Sequence, residues 1–377
     1  MPTRLLITTG IFPPDIGGPA TQIEQLASDL AKNGFDVAVL TYGTPEEKQR
    51  LFKLASVSKK IPRGLRQAFF GFKAFLSGYS ADVIYATDLY SVGFFSMLAS
   101  KFWRKKFVVR FAGDSAWETA FNRGLTQDNI LTFQEKIYAD SVEKLKKRRA
   151  KILKSADAVI AVSGFMKNLA EKIGVSPEKI RVIYNAVDFF GAMPEKTEPA
   201  VPTLVYSGRL TPWKGVDMLI EIVAELKKEY PDITFEIIGE GTERKNLEKS
   251  ALKLGLEKNV YFRGKMSESE THEIFSHSTI FVLNTDYEGL SHAILNAMNV
   301  GVPVITTPVG GNPEVVQNEY NGLLVAYNDK KTWRGAIERL LDDKALREKF
   351  SQNGKKTLSK FRWAELVEKT AEVLKTV

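Results

Sequence analysis

One local pattern occurs twice in this chain and limits its fold more than anything else. Residues 4–9 are an apolar run, residues 10–18 a glycine-rich loop, residues 19–33 an amphipathic stretch and residues 36–42 a second apolar run. Ile23, Leu26, Ala27 and Leu30 fall on one helical stripe, and Gly34 suits the left-handed cap that would end that helix. Further apolar runs at 82–86, 106–111 and 158–162 alternate with helical patterns. Continuous apolar strands alternating with helices require a parallel sheet covered on both faces. Around residue 192 the texture changes, with Pro194, Pro199 and Pro202 close together, and this reads as a linker. The pattern then restarts with a strand at 203–207, Gly208, a loop and a helix from about 215 to 230. Later strands are expected at 234–238, 260–262, 280–283, 302–306 and 322–326. At 377 residues the chain is about twice what one core usually organises. The expected fold class is therefore α/β, two tandem Rossmann-like β/α/β domains, over 1–195 and 203–362 with a linker at 196–202. Ligands of such sheets bind outside the carboxyl ends of the strands, so the cleft between the domains is the expected site. A closing amphipathic helix at 363–377, with Leu366, Val367, Ala371 and Leu374 on one side, is expected to pack back on the first domain.

Composition removes several chemistries. With no cysteine there are no disulfides, thiol nucleophiles, iron–sulfur ligands or zinc–thiolate sites, which fits a reducing, cytoplasmic setting. The only imidazoles are His272, His277 and His292, all in the second half. The opening residues are too short for a signal peptide, and the long uncharged stretch 289–313 is punctuated by Gly and Pro as a spanning helix would not be. The net charge of +8 is unevenly distributed. Residues 1–190 hold 28 Lys+Arg against 18 Asp+Glu, a surplus of +10, and residues 191–377 hold 25 against 27, or −2.

The glycine loops favour anions. Gly17 and Gly18 lie between the first strand and its helix, where unpaired amides and the positive helix end attract negative charge, although a turn that only needs flexible backbone reads the same way. Neither the dinucleotide G-x-G-x-x-G spacing nor a G-x-x-x-x-G-K-[ST] loop occurs; Gly239 and Gly241 supply only the first two glycines of the former. In the second half, Gly208 and Arg209 precede Lys214 and Gly215 in a loop between a strand and a helix, placing two cations where a diphosphate would sit. The run Asp286-Tyr287-Glu288-Gly289-Leu290-Ser291 again follows a strand and opens a helix, so its amides suit phosphate oxygens and Glu288 suits sugar hydroxyls. At Gly310-Gly311-Asn312-Pro313-Glu314, Asn312 is expected to cap a third helix, with Pro313 as its first residue.

Taken in order, these pieces resemble glycosyltransferase family 4, the retaining group 1 transferases of the GT-B fold. The resemblance covers nearly the whole chain. It runs through Phe12-Pro13-Pro14 to Gly17-Gly18, Val162-Ser163, Asn185-Ala186-Val187-Asp188, Gly208-Arg209-Leu210 with Lys214-Gly215, and Ile238-Gly239-Glu240-Gly241. It continues through Glu288 to Ser291, Gly301-Val302-Pro303-Val304 and Gly310 to Glu314. The resemblance implies that Arg209 and Lys214 grip the donor diphosphate, that Glu288 with the backbone of Gly289, Leu290 and Ser291 holds the donor sugar, and that Gly17 and Gly18 close over donor and acceptor. It implies no metal and no cofactor, only a UDP- or GDP-linked sugar as donor. Two positions depart from the pattern. The family's second signature glutamate, which usually holds the nucleotide ribose, is Asn296 here, which weakens that contact by about 1 kcal/mol. A histidine that many relatives carry beyond the strand ending at Phe111 is absent, and Asp114 is the polar group near it. Asp114 either faces acceptor or donor sugar, or caps the next helix.

The basic first half mixes cations with aromatic residues at 59–73 and 101–106. This reads as a contact with an anionic membrane if the apolar face is exposed, and as ordinary core with solvated lysines if not. Residues 144–149 read as a solvated helix face. Nothing accompanies the charge that would recognise nucleic acid. The expected function is a retaining, metal-independent hexosyl transfer from a nucleoside diphosphate sugar to a hydroxyl of a glycan or lipid-linked glycan, in polysaccharide biosynthesis. The expected location is the cytoplasm or the cytoplasmic membrane face. The alternative is a GT-B nucleotide-sugar-binding protein weakened in catalysis, for which Asn296 is the motive.

Overall fold

The computed structural model describes residues 2–15, 18–46, 48–187 and 194–377. The chain divides into two units, Met1–Tyr184 with Ala364–Val377, and Asn185–Trp363.

The first unit is built on seven strands: β1 (Thr3–Thr8), β2 (Phe35–Tyr42), β3 (Lys53–Val57), β4 (Val83–Ala86), β5 (Lys106–Phe111), β6 (Ala158–Ala161) and β7 (Ile180–Val182). Their order is β3-β2-β1-β4-β5-β6-β7. The pairs are parallel, with Thr8 at the end of β1 in register with both Leu40 and Ala86. Every residue of β4 and β6 is buried, as expected of strands covered by helices on both faces. β3 and β7 were not expected from the sequence. Lys-Leu-Ala-Ser-Val is a half-exposed edge strand and Ile-Arg-Val is only three residues long, so neither makes a continuous apolar run. The final helix, Trp363–Thr376, buries Leu366, Val367, Ala371 and Leu374, and its Lys375 ammonium lies 5.4 Å from the centre of the Phe35 ring.

The second unit carries β8 (Thr203–Ser207), β9 (Thr234–Ile238), β10 (Val260–Gly264), β11 (Ile280–Leu283), β12 (Val304–Thr306) and β13 (Gly322–Leu324), in the order β10-β9-β8-β11-β12-β13. β12 starts after Pro303, which has no amide for the ladder; its carbonyl accepts from Phe281 instead. This unit begins before the proline cluster. Asn185 Nδ2 donates to Leu290 O at 2.7 Å, and Val187 bridges to Arg362, so 185–187 group with the second sheet although the composition change comes later.

Both sheets share one topological feature. β1 lies between β2 and β4, and β8 between β9 and β11, so the connections after these strands leave toward opposite sides and open a crevice. Ligands of open parallel sheets bind at such switch points. Among the described residues no helix is long and apolar enough to cross a membrane.

Candidate functional site

The switch point of the second unit brings together the loops that follow β8 and β11. Tyr206, the fourth residue of β8, is buried, and burial pushes its phenol well above the ordinary value, with the charge of Glu288 adding to the effect. A phenol held neutral in this way donates its proton, and it does so to Arg209 O at 2.9 Å, fixing the turn. Gly208 sits at that turn, its amide donating to Ile238 O at 3.0 Å. The Arg209 guanidinium is exposed and lies 5.8 Å from the centre of the buried Trp213 ring. A short 3-10 turn, Pro212–Lys214, then brings Lys214 inward, and Gly215 follows in the left-handed region at φ 47°.

Lys214 is buried, yet its ammonium is charge-paired. It meets the Glu288 carboxylate in an ion pair and approaches Tyr287 O at 3.5 Å. Burying an ammonium without a partner costs several kcal/mol, so this pair explains why a lysine occupies an interior position. The backbone binds the two loops together. Trp213 O accepts from Asp286 N at 2.9 Å and from the Thr285 hydroxyl at 3.3 Å. Burial pushes the Asp286 carboxyl above its usual value.

Glu288 is also held from the β12 side. Gly311 N donates to Glu288 O at 3.0 Å, and Gly310 takes φ +59° against the same carbonyl. A Cβ on Gly310 would run into Glu288 O, so only glycine fits. Ser291 caps the helix His292–Val300, accepting from Ile294 N at 3.3 Å, and Leu290 is buried beside it. Gly208, Arg209, Lys214, Glu288, Gly289, Leu290 and Ser291 therefore lie on two linked loops. Asn312 behaves differently from the sequence expectation. It is the first residue of the short helix Asn312–Val315 and is buried, with Nδ2 turned back to Thr306 Oγ1 at 3.0 Å, so its side chain caps nothing. Asn296 lies half-buried on the helix that Ser291 caps, next to His272, whose imidazole burial pushes below its ordinary value.

In the first unit the structure decides between the two readings of Asp114. It is wholly buried and caps the helix Ser115–Asn122, accepting from Ala116 N at 2.9 Å and Trp117 N at 3.2 Å. Its second oxygen forms an ion pair with the buried Arg149 and accepts from Gln134 Nε2 at 3.1 Å. Both oxygens are thus taken by protein donors, and Asp114 is a cap rather than a ligand-facing group. Arg149 corrects a second expectation, because residues 144–149 are not simply a solvated face; this member points inward. Gly18 is the first residue of the helix Gly18–Lys32, and Gly17 lies outside the described residues.

Sequence reasoning missed Asp88, which follows β4 at the first unit's own switch point. Its carboxyl accepts from Tyr90 N at 2.9 Å and from the amides of Gly10 and Gly93, and burial pushes it up to about 6. The available signal was a lone carboxylate two residues beyond a wholly apolar strand. Among the described residues no three His, Asp or Glu side chains gather as a metal would need.

Two family comparisons match this chain, glycosyltransferase family 4 over residues 16–189 and glycosyl transferases group 1 over residues 193–357. An uncharacterized glycosyltransferase of Methanocaldococcus jannaschii is 26% identical, the alignment covering 98% of this chain and 97% of the relative. The D-inositol 3-phosphate glycosyltransferase of Acidothermus cellulolyticus is 26% identical over 94% of this chain and 84% of its own. Among solved structures, Anabaena HepE in complex with UDP-glucose superposes with a TM-score of 0.80 at 19% identity, covering 99% of this chain and 100% of the other.

Proposed function

The chain belongs to the group 1 glycosyltransferases of the GT-B fold, and from that membership we propose a retaining, metal-independent transfer of a hexosyl group from a UDP- or GDP-linked sugar to a hydroxyl of a glycan or lipid-linked glycan. The observation that carries the donor half is the Lys214–Glu288 pair at the β8/β11 switch point, a cation suited to a diphosphate beside a carboxylate suited to sugar hydroxyls. The UDP-glucose bound by HepE supports the same class of donor.

In this reading Arg209 and Lys214 take the diphosphate, and the amides of Gly289 to Ser291 at the helix start add positive potential. Glu288 accepts hydrogen bonds from the donor sugar, and Asn296 takes a ribose hydroxyl. The bond from the anomeric carbon to the phosphate oxygen breaks, and a bond from the acceptor oxygen to the same carbon forms. The acceptor's proton passes to the departing phosphate oxygen, so no separate base is needed, and attack on the face of the leaving group retains configuration. Fixed cations and amides supply the charge stabilisation that a divalent ion supplies elsewhere.

A screen of UDP, GDP and their sugars by thermal shift tests the donor half. At a hundred times its dissociation constant a true donor adds about 2.7 kcal/mol and raises Tm by roughly 5–10 °C. Transfer in the presence of EDTA, with the product anomer read by NMR, tests the rest. Loss of activity with EDTA, or an inverted anomer, contradicts the mechanism.

We also propose that the first unit rests on an anionic membrane, at the cytoplasmic face. In the helix Arg63–Ser80, the exposed Leu65, Phe69, Phe72, Leu76 and Tyr79 recur at helical spacing, with Phe102 exposed on the helix Ser91–Trp103. Lys73, Lys101, Arg104 and Lys105 supply positive charge in the same two segments. Sedimentation with vesicles containing phosphatidylglycerol is expected to carry the protein down, and Phe69→Ser with Phe72→Ser to release it. Equal pelleting of the variant, or pelleting with neutral vesicles alone, rejects the proposal.

A further inference from the structure

A polar cavity is lined by first-unit residues alone. It encloses about 420 Å³, and Arg63, Arg66, Arg123, Arg148 and Arg149 stand on its wall, with no Asp or Glu among its described lining residues. The wall also contains Tyr42 at the end of β2, Ser91 after β4 and Ser115 after β5, so the cavity opens on the ligand-binding edge of the sheet. Arg149 is engaged by Asp114. Among the described residues the other four have no carboxylate partner; Arg66 lies 5.5 Å from the Tyr42 ring centre and Arg148 4.4 Å from that of Phe94. Burial lowers the Arg148 guanidinium from its ordinary value, a penalty that a bound anion would relieve. The thirteen-residue helix Ser91–Trp103 begins at this wall, with the Asp88 carboxylate taking the amides of Tyr90 and Gly93.

Four guanidiniums gathered around one space repel each other, and planar forks of this kind match phosphate oxygens two at a time. We propose that this cavity binds a phosphate or diphosphate group carried by the acceptor. The word acceptor rests on the transferase reading above; the anion site rests on the first unit alone. The acceptor thus belongs to a class of phosphorylated compounds, made by a preceding phosphoryl or phosphoglycosyl transfer, and its phosphate anchors it.

Calorimetric titration into full-length protein already saturated with UDP tests this, using farnesyl diphosphate in one arm and inorganic pyrophosphate in the other. UDP fills the donor site, so heat from either probe reports a second site. Binding that weakens at least tenfold in Arg123→Gln with Arg148→Gln, with unchanged UDP affinity, is the expected result. Arg123 is exposed, Arg148 is only partly buried, and neither has a carboxylate partner among the described residues, so the variants are expected to fold, and their melting curves check it. Equal affinity for the two probes identifies the anion alone as the ligand; binding of farnesyl diphosphate only identifies a lipid-borne phosphate. Absence of binding by both probes, or equal affinity in wild type and the double variant, overturns the proposal. Failure of UDP itself to bind counts against the donor reading; the loss of probe binding in the double variant then still reports the first-unit site.

Discussion

Lys214→Ala is expected to lower kcat/KM by about 10²–10³-fold, the usual effect of removing one preorganised group that faces developing charge. Glu288→Ala should fall in the same range, and the double variant should be little worse than either single one, because groups acting as one unit are not additive. Stability separates the two changes. Glu288 is 21% exposed and Lys214 7%, so removing lysine leaves a carboxylate that water can reach, whereas removing glutamate strands a buried ammonium. Glu288→Ala should therefore destabilise by about 3 kcal/mol and Lys214→Ala by about 1 kcal/mol. Lys214→Met, which keeps the aliphatic stem, separates lost chemistry from lost packing. If turnover survives both alanine variants with a working donor, the assignment of this crevice is wrong.

Asp114→Ala is expected to unfold the first unit more readily while leaving the proposed donor chemistry in place. The change removes a helix cap and leaves Arg149 buried without its partner, at a cost of about 3–5 kcal/mol, or a Tm lower by roughly 10 °C in a unit of this size. Arg149→Met in the same chain should recover most of that loss, since an uncharged pair of similar volume no longer strands a charge. Melting curves of the three variants give the answer. A Tm that stays put while transfer is abolished would restore the reading in which Asp114 faces a ligand.

What the sequence disclosed follows from burial. β5, β8, β9 and β11 match their expected bounds because each is mostly buried and mostly apolar, wholly so in the Ile-Phe-Val-Leu of β11. β3 stayed hidden because an edge strand buries little, and the burial of Arg149 because a lone inward arginine in a basic helix leaves no mark on the pattern. Loop glycines marked the loops that follow β8 and β11 but not how the two are wired together. That Lys214 and Glu288 meet depends on the sheet order, which sets β8 beside β11 although some seventy residues separate them. Asp88 was passed over because a single carboxylate carries no spacing to recognise.

The way Gly310 and Gly311 pack against the carbonyls of Glu288 and Gly289 bears on how such a site changes over evolutionary time. Main chain holds main chain there, so the frame does not depend on the identity of the side chains around it. Under the donor reading proposed above, substitutions at positions such as 296 can accumulate one at a time while this main-chain frame stays in place. Drift in specificity on a fixed frame is compatible with only 26% identity to full-length relatives.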